Sequence, residues 1–437
     1  MRKIFVFFYI YPLCAIADSD CATMRHMPSK EMSLTEVIDI GLCRNPQTAA
    51  AYATLQAARF TKNAAHSSYL PTFSGHLGGD RLHTAHDDWD YSASLSASYL
   101  IFDFGKRESD FAQSLATYRA AGFDYDETVQ NFIYSIIGAY YTLLNMDADV
   151  ESARSALTVA EIAKDTADKK YKSGAVAKAD VYQADTVLAS SILSLERAKN
   201  NREIAKGVLL NTLSFPASDD IQIKDMPASF GGDAENESID ELIAIAGKQR
   251  PDLLKAKSQT NAAWHRRNSA FLKRLPSVSV NGGLEVVDKT VGGIFEDMTA
   301  KTHGTFGVSV SMPIFTGFLN FYNARAANAE YESMKYTEHS VSNNAMMDVF
   351  TAYQNYKTAR TVLKQTKILL KSATESERVM AGMYKVGRAT MLDWQQAQSD
   401  LVDARNQNNS AKYDLFVKRA AVALAIGDIK SGLKDNK

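Results

Sequence analysis

The sequence predicts a mainly α-helical chain with a β-barrel part, built from a duplicated unit of long coiled-coil helices and four membrane-type β-strands. Three observations predict this fold class: two halves that share motifs, two long proline-free stretches with heptad spacing, and two segments in which apolar and polar residues alternate. The net charge of −1 at pH 7 shows no basic excess, so nucleic acid is not an expected partner.

The first observation is an internal duplication. Pro46 is matched by Pro251 at a separation of 205 residues, whereas Gly174 is matched by Gly387 at a separation of 213 residues. An internal repeat defines the structural unit of a chain, and the change in separation indicates an eight-residue insertion within the second copy. The further matched motifs are Tyr69-Leu70-Pro71-Thr72 with Arg274-Leu275-Pro276-Ser277, Ile101-Phe102 with Ile314-Phe315, and Asp180 with Asp393.

The N-terminal residues have the pattern of a signal peptide. Arg2-Lys3 is followed by a short apolar run and by the small-residue cleavage site Ala15-Ile16-Ala17. Cys14 leaves lipidation as an alternative, which the large residues before it disfavour. The expected segments are a signal peptide at 1–17, a first structural repeat at 18–230, a second structural repeat at 231–429 and a polar C-terminal tail at 430–437.

Proline distribution and heptad spacing predict unusually long helices. No proline lies between Pro71 and Pro216 or after Pro313, and proline breaks helix interiors. We expect one helix from 106 to 171 and, in each half, a tight turn at a glycine followed by a returning helix. Steps of three and four residues between apolar or small side chains are typical of a coiled-coil seam. The matching seam residues of the two copies are Val181, Ala184, Leu188, Ser191 and Leu195, and Trp394, Ala397, Leu401, Ala404 and Asn408.

A period of two predicts β-strands between the helices. Serines alternate with apolar residues from Tyr91 to Ile101, and the segment from Thr305 to Ser311 alternates in the same way. Each half then contributes one hairpin, at about 72–102 and about 277–315, with an apolar and a polar face that are typical of transmembrane strands. Because about eight or more strands are needed to close a barrel, several chains must share one, and three chains give about twelve strands. The alternative is a soluble hairpin packed on helices.

In this order and in two copies, the motifs resemble the TolC family of outer-membrane channel-tunnels, over essentially the whole mature chain. The motifs that carry the resemblance are Leu34-Thr35-Glu36, Asn45-Pro46, Tyr69-Leu70-Pro71, Ile101–Arg107, Met312–Gly317, and a Tyr-x-x-Gly with an Asp six residues after the glycine in both copies. The resemblance implies a homotrimer with a twelve-stranded barrel in outer-membrane lipid and a helical tunnel in the periplasm of a Gram-negative bacterium. It also implies two partners, a periplasmic adaptor (membrane fusion protein) and an inner-membrane transporter, either an ABC exporter or a proton-driven pump.

The resemblance further implies a gate at the turns between the long helices. In the family, a tyrosine and an arginine of the second copy bind an aspartate of the first copy, and Tyr384 and Asp180 match two of these positions. Arg388 lies one position early, and one residue turns a side chain by about 100° around a helix. Asp393 matches an acidic ring at the constriction, whereas Gln396 replaces the second acid of the family. Three Asp393 carboxylates in a trimer would favour cations, and helix capping is the structural alternative for both aspartates.

The same turns are implied as docking points for the adaptor. The docking residues are Tyr171 and Gly174 in the first copy, and Tyr384 and Gly387 in the second. A simple turn requirement is the alternative explanation for both glycines.

The segment Leu42–Thr48 resembles the branch of the family that serves type I protein secretion, the CyaE-like branch. By themselves, Cys21 and Cys43 are a candidate disulfide of an exported protein, with two unpaired cysteines as the alternative. That branch tends to carry a cysteine before the Asn-Pro, which favours a Cys21–Cys43 bridge. The predicted function is a passive outer-membrane exit duct of a tripartite export system for type I protein secretion. The alternatives are a small-molecule or drug efflux duct and, in another class, a soluble periplasmic coiled-coil adaptor or scaffold.

No arrangement of residues in the sequence indicates an enzyme. The eight histidines are scattered, and His83 and His86 lie in a polar loop without a third ligand at metal-binding spacing. No glycine-rich phosphate-binding loop is present. We therefore expect no catalytic residue, no cofactor and no metal site, and the energy for export has to come from a partner.

Overall fold

The computed structural model describes residues 31–83, 87–225, 238–290 and 301–429. The predicted signal peptide, Cys14, Cys21, His86 and the tail at 430–437 lie outside these described residues. The helices of the described residues are α1 (Leu34–Arg44), α2 (Pro46–His66), α3 (Lys106–Lys172), α4 (Lys178–Thr212), α5 (Ile239–Gln249), α6 (Pro251–Leu272), α7 (Leu319–Lys385) and α8 (Met391–Ala425). The strands are β1 (Glu31–Met32), β2 (Thr72–His83), β3 (Asp87–Phe102), β4 (Gln222–Ile223), β5 (Ser277–Thr290) and β6 (Lys301–Ser311).

The chain divides into two compact units, and each unit takes residues from both sequence copies. The first unit comprises the described residues of Met1–Ala51, Asp126–Pro251 and Asn343–Lys437. The second unit comprises the described residues of Tyr52–Tyr125 and Asp252–Ser342. The compact units therefore differ from the sequence repeats, because the long helices α3 and α7 each contribute residues to both units.

The predicted long helices are confirmed. Helices α3 and α7 each have 67 residues, and the returning helices α4 and α8 each have 35. The equal lengths in the two copies agree with the duplication. None of the helices in the described residues combines the length and the apolar character needed to cross a lipid bilayer.

The heptad seams lie in the interior of the first unit. Small or apolar seam residues from both copies are buried, among them Ala184, Leu195, Ala397, Leu401 and Ala404. Alanine at such positions lets helices approach closely, and each alanine buries little area. The packing along these seams therefore depends on many small helix contacts.

The second unit contains one four-stranded antiparallel sheet with the order β2-β3-β5-β6. In the first hairpin Thr72 pairs with Ser98, and in the second Ser277 pairs with Ser311. These two pairs are related by the same separations of 205 and 213 residues, so the copies form hairpins of identical register. The change of separation therefore falls between the paired residues of β5 and β6, and residues 291–300 between these strands lie outside the described residues.

The strands differ from the predicted ones in length. They contain 12, 16, 14 and 11 residues for β2, β3, β5 and β6, whereas the alternation of apolar and polar residues predicts strands of about ten residues. Strand β6 ends at Ser311, four residues before the end expected at 315. Pro313 explains the early end, because proline has no N–H to donate to a neighbouring strand.

The sheet has the predicted apolar and polar faces. Large apolar side chains on one face are open to the surroundings, with Leu77 85 % and Phe306 84 % exposed. The other face carries hydroxyl pairs across neighbouring strands, including Ser74 with Ser96 at 2.7 Å and Ser279 with Ser309 at 2.8 Å. Fully exposed aromatic and aliphatic side chains on one side of a sheet are unusual in water and are typical of contact with lipid.

A buried tyrosine holds two short strands of the first unit together. Strands β1 and β4 pair in parallel, and the Tyr140 hydroxyl lies 2.6 Å from the Lys224 carbonyl oxygen and 3.3 Å from the Met32 carbonyl oxygen. The hydroxyl has one proton, so it donates to one carbonyl at a time. Burial raises the pKa of Tyr140 well above its ordinary value, and the hydroxyl therefore remains protonated.

Replacing Tyr140 by phenylalanine is expected to destabilise the first unit. Loss of the hydroxyl leaves the partly buried carbonyl of Lys224 without this donor, and a lost hydrogen bond of this kind costs about 1 kcal/mol. Thermal unfolding of the purified protein in detergent, followed by the helical circular dichroism signal, measures the effect. The matched control is Tyr134→Phe on the same helix, where the tyrosine is less buried. Equal melting temperatures for the two variants would contradict this role of Tyr140.

Candidate functional site at the helical turns

The predicted gate and docking residues lie at two equivalent turns of the first unit. The first turn (residues 173–177) joins α3 to α4, and the second turn (residues 386–390) joins α7 to α8. Both turns have the hydrogen bonds of a Schellman motif: Ala175 N–H donates to Lys170, and Arg388 N–H donates to Met383, each at 2.9 Å. The duplication therefore extends to the backbone hydrogen bonds that end each long helix.

Gly174 and Gly387 occupy the position of each motif that requires a left-handed backbone. Their φ angles are +74° and +76°. A Cβ atom added at either glycine would meet no other atom within 4 Å. Backbone conformation, and not lack of space, is therefore the structural reason for glycine at both turns.

The N-terminus of α8 carries a capping box. The Thr390 hydroxyl accepts from the Asp393 N–H at 3.2 Å, and the Asp393 carboxylate accepts from the Thr390 N–H at 2.9 Å. Hydrogen bonds from the hydroxyl and the backbone of Thr390 lower the pKa of Asp393 below its ordinary value and so favour the charged form of this exposed carboxylate.

The capping alternative predicted for both aspartates is wrong in its position. Thr390, not Asp393, is the N-cap residue of α8, and Asp393 is the third residue of the helix. In the first copy the N-cap residue of α4 is Ala177, which has no side-chain oxygen, and Asp180 occupies the third position. The two copies therefore share the acid at the third position but differ in the capping residue itself.

Tyr384 is the centre of a buried cluster at the second turn. Its side chain is 1 % exposed, and its ring lies 5.3 Å from the ring of Trp394, centroid to centroid. The cluster combines residues from the four helices that the two turns join, α3 with α4 and α7 with α8. Its buried members are Ala163 and Ala167 of α3, Ala184 of α4, Tyr384 of α7, and Met391 and Trp394 of α8.

A lysine of the first copy contacts Tyr384 in two ways. The Lys170 ammonium lies 4.1 Å from the centroid of the Tyr384 ring and also donates a hydrogen bond to the Tyr384 carbonyl oxygen. A cation is favourable at this place, because the C-terminal end of a helix carries partial negative charge. Sequence reasoning missed Lys170. Comparison of the copies would have indicated it, since the matching residue of the second copy is Met383.

The phenol oxygen of Tyr384 is buried and has no hydrogen-bond partner within the described residues. Burial, and to a smaller extent the negative charge of Asp180, raises the pKa of Tyr384. The structure thus brings Tyr384 and Asp180 into one electrostatic neighbourhood without a direct hydrogen bond.

The remaining predicted gate residues lie on the surface. Arg388 is exposed and forms no ion pair in the part of the chain that the structure describes. Gln396 is exposed, and its amide donates to Asp400 at 2.8 Å. A glutamine pair that was not predicted, Gln183 with Gln395, connects α4 to α8. A gating role for Asp180, Tyr384, Arg388, Asp393 and Gln396 stays a prediction.

Two other predicted features concern cysteines and metals. Cys43 is partly buried and forms no disulfide with any of the described residues, and its predicted partner Cys21 lies outside them. The disulfide therefore stays a prediction. Within residues 31–83, 87–225, 238–290 and 301–429, no group of three or more His, Cys, Asp or Glu side chains is arranged to hold a metal ion.

The duplicated long helices, their turns and the sheet with an exposed apolar face define the class of outer-membrane channel proteins. The model of the family described as outer membrane efflux protein matches residues 37–213 and 242–428. The chain belongs to this family, and its fold is that of a channel protein rather than an enzyme. Its location is the outer membrane, with a periplasmic helical part, as predicted.

Similar proteins agree with this assignment. The outer membrane protein TolC of Escherichia coli is 24 % identical over 426 residues, which cover 92 % of this chain and 83 % of TolC. Protein CyaE of Bordetella pertussis is 20 % identical over 404 residues, which cover 91 % of this chain and 85 % of CyaE. The crystal structure of outer membrane protein VceC from Vibrio cholerae superposes with a TM-score of 0.76 at 18 % identity, covering 90 % of this chain and 96 % of VceC. The predicted fold class, long helices together with a β-barrel part, is confirmed.

Proposed function

We propose that three copies of this chain form the outer-membrane exit duct of a tripartite export system. The duct passively conducts substrate from an inner-membrane transporter, through a periplasmic adaptor, to the exterior. The single observation that carries this proposal is the four-stranded sheet with an exposed apolar face, a hydroxyl-lined polar face and two outer strands, β2 and β6. Strand edges in lipid must be paired, and three such sheets supply about the number of strands that encloses a water-filled lumen.

We further propose type I protein secretion as the pathway that the duct serves. The segment Leu42–Thr48, with Cys43 before the Asn-Pro, resembles the secretion branch of the family. The similarity to TolC and the similarity to CyaE are close in extent, so family membership alone supports secretion and small-molecule efflux about equally. The family assignment favours either duct over the soluble periplasmic scaffold.

Two measurements test the duct. The protein is expected in the outer-membrane fraction, extracted only by detergent as a trimer, and it is expected to conduct ions in planar lipid bilayers. A water-soluble monomer without conductance would overturn the proposal.

Deletion of the gene in its host separates the two pathways: loss of a secreted protein from the medium supports secretion, and increased drug sensitivity with normal protein secretion supports efflux.

Replacing Asp393 by asparagine is expected to weaken the preference of the channel for cations. A trimer places three Asp393 carboxylates in one ring, and the hydrogen bonds from Thr390 that lower the pKa of Asp393 favour their charged form. Asparagine keeps a side-chain oxygen that accepts from Thr390, so the capping box is preserved. Reversal potentials in a KCl gradient measure the effect, with Asp403→Asn on the exposed surface of α8 as control. An unchanged reversal potential for Asp393→Asn would remove this residue from the constriction.

We propose the two turns as the docking points for the adaptor. The residues predicted for docking are Tyr171 and Gly174 in the first turn and Tyr384 and Gly387 in the second. Of the two tyrosines, Tyr171 is 44 % exposed and accessible to a partner, whereas the Tyr384 side chain is buried. We therefore assign Tyr171 as the tyrosine that touches the adaptor, with Tyr384 supporting its turn from inside.

Replacement of Gly387 separates docking from the turn requirement. Gly387→Val is expected to cost about 1–2 kcal/mol, because a left-handed backbone is unfavourable for residues with a Cβ. Gly387→Asn is expected to keep the stability of the turn, since asparagine tolerates this conformation. Thermal unfolding and pull-down of the adaptor measure the two properties. A stable Gly387→Asn protein that still binds the adaptor shows that glycine serves the turn alone.

A further inference from the structure

The inference concerns the two outer strands of the sheet and rests on the trimer proposed above. In the described sheet, β2 and β6 each pair with one neighbour, so each has one unpaired edge. The hairpin of the first copy joins the hairpin of the second copy through β3 and β5. A ring of three chains needs a second junction of the same kind, in which a strand of one copy pairs with a strand of the other. It lies between β6, from the second copy of one chain, and β2, from the first copy of the next chain.

The duplication gives a numerical rule for that junction. Adding 205 to residues of β2 and 213 to residues of β3 reproduces the pairing of β5 with β6, from Thr72↔Ser98 to Ser277↔Ser311. The rule therefore relates backbone pairing and not only sequence motifs. It can be applied to the observed junction between β3 and β5, in which Ser98 pairs with Asn281.

We propose that β6 of one subunit pairs with β2 of the next in the register that places Ser311 opposite His76 of the partner subunit. These residues are the matches of Ser98 and Asn281, at separations of 213 and 205. The Ser98 hydroxyl donates to the Asn281 side-chain oxygen at 2.8 Å. The Ser311 hydroxyl accordingly lies within hydrogen-bonding reach of the imidazole of His76 of the partner subunit.

The polar and apolar faces of the strands agree with this register. It places Val310 opposite Leu77 of the partner subunit, and both are on the exposed apolar face, with Ser311 and His76 on the polar face. A shift by one residue would put apolar side chains of β6 beside polar side chains of β2, because successive residues of a strand point to opposite faces. The face pattern excludes shifts by an odd number of residues, and the duplication rule selects one register among those that remain.

Disulfide formation between engineered cysteines tests the register. Directly opposite residues of antiparallel strands have Cα atoms about 4.5–5.5 Å apart, within the range that a disulfide bridges. The full chain is used in membranes, with Cys21 and Cys43 replaced by serine. The variant Ser311→Cys with His76→Cys is expected to give covalent dimers and trimers on a denaturing gel after mild oxidation, and neither single variant is expected to do so.

Two control pairs make the outcome decisive. Ser98→Cys with Asn281→Cys reproduces the observed junction and is expected to cross-link within one chain. Ser311→Cys with Ser74→Cys tests a register shifted by two residues on the same face and is expected to cross-link weakly. Cross-linking of the Ser74 pair above the His76 pair overturns the register. Absence of the intersubunit product, when the Ser98–Asn281 product forms and the protein is a trimer in detergent, also overturns it. A protein that is not a trimer overturns the proposed function instead.

Discussion

Replacing Lys170 by methionine is expected to increase the conductance of the reconstituted channel. Methionine keeps most of the side-chain length but removes the charge that contacts the Tyr384 ring and carbonyl. A hydrogen bond to a charged group contributes about 1.5–3 kcal/mol, and each 1.4 kcal/mol is about a tenfold change in an equilibrium. We therefore expect the end of α7 to leave α3 about 10- to 100-fold more often, which opens the proposed gate. Single-channel recordings in planar bilayers measure the effect.

The matched control for this prediction is Lys172→Met. Lys172 is exposed, belongs to the same last turn of α3 and carries the same charge. Wild-type conductance is expected for this variant. Lys170→Arg is expected to raise the conductance less than Lys170→Met does, because the positive charge beside Tyr384 remains. If Tyr384→Phe or Asp180→Asn raised the conductance while Lys170→Met did not, the gate would be held shut without Lys170.

Replacing Trp394 by alanine is expected to give the largest loss of stability at the turns. Trp394 is buried against Tyr384, and its indole N–H donates to Glu377 at 2.9 Å. Truncation of a buried aromatic residue to alanine costs about 3–5 kcal/mol through lost contacts and the cavity left behind. We expect local unfolding of the second turn before the rest of the helices melt. Limited proteolysis, with sequencing of the first cleavage site, detects this opening.

Two further variants identify the cause of that loss. Trp394→Phe keeps an aromatic ring against Tyr384 but loses part of the indole volume and the hydrogen bond to Glu377, so a smaller effect than that of Trp394→Ala is expected. Leu392→Ala truncates a side chain that is 64 % exposed in the same helix turn. The protease is expected to cleave this variant at the same sites as the wild type. A first cleavage site far from residues 386–390 in Trp394→Ala would show that the cluster does not stabilise the turn.

The long helices and the strands were predictable because each depends on a local pattern. The stretch without proline between Pro71 and Pro216 and the heptad seam led to α3 and α4, and the alternation of serine with apolar residues led to β3. The errors occur at the ends of helices and strands, where a single residue determines the position of the boundary. Strand β6 ends at Ser311, ahead of Pro313. The capping box of α8 begins at Thr390, three residues before the aspartate that the prediction used.

The site was predictable only in part. The Tyr-x-x-Gly repeat located both turns, and their hydrogen bonds explain the glycines. The prediction paired Tyr384 and Arg388 with Asp180, but Arg388 is exposed and Tyr384 makes no direct hydrogen bond to Asp180. The cation that contacts Tyr384 is Lys170, which lies 214 residues earlier in the chain.

The sequence by itself determined the duplicated architecture, the long paired helices, and the apolar and polar faces of the strands. Periodicity specifies these features because it fixes which side of an element each residue occupies. Only the tertiary structure decided which residues of the two copies meet: Lys170 with Tyr384 at the turns, and Ser98 with Asn281 between the hairpins. A heptad or strand pattern fixes which face of an element a residue occupies, but it does not specify which residue of another element packs against that face. Contacts between residues far apart in the chain are selected by tertiary packing.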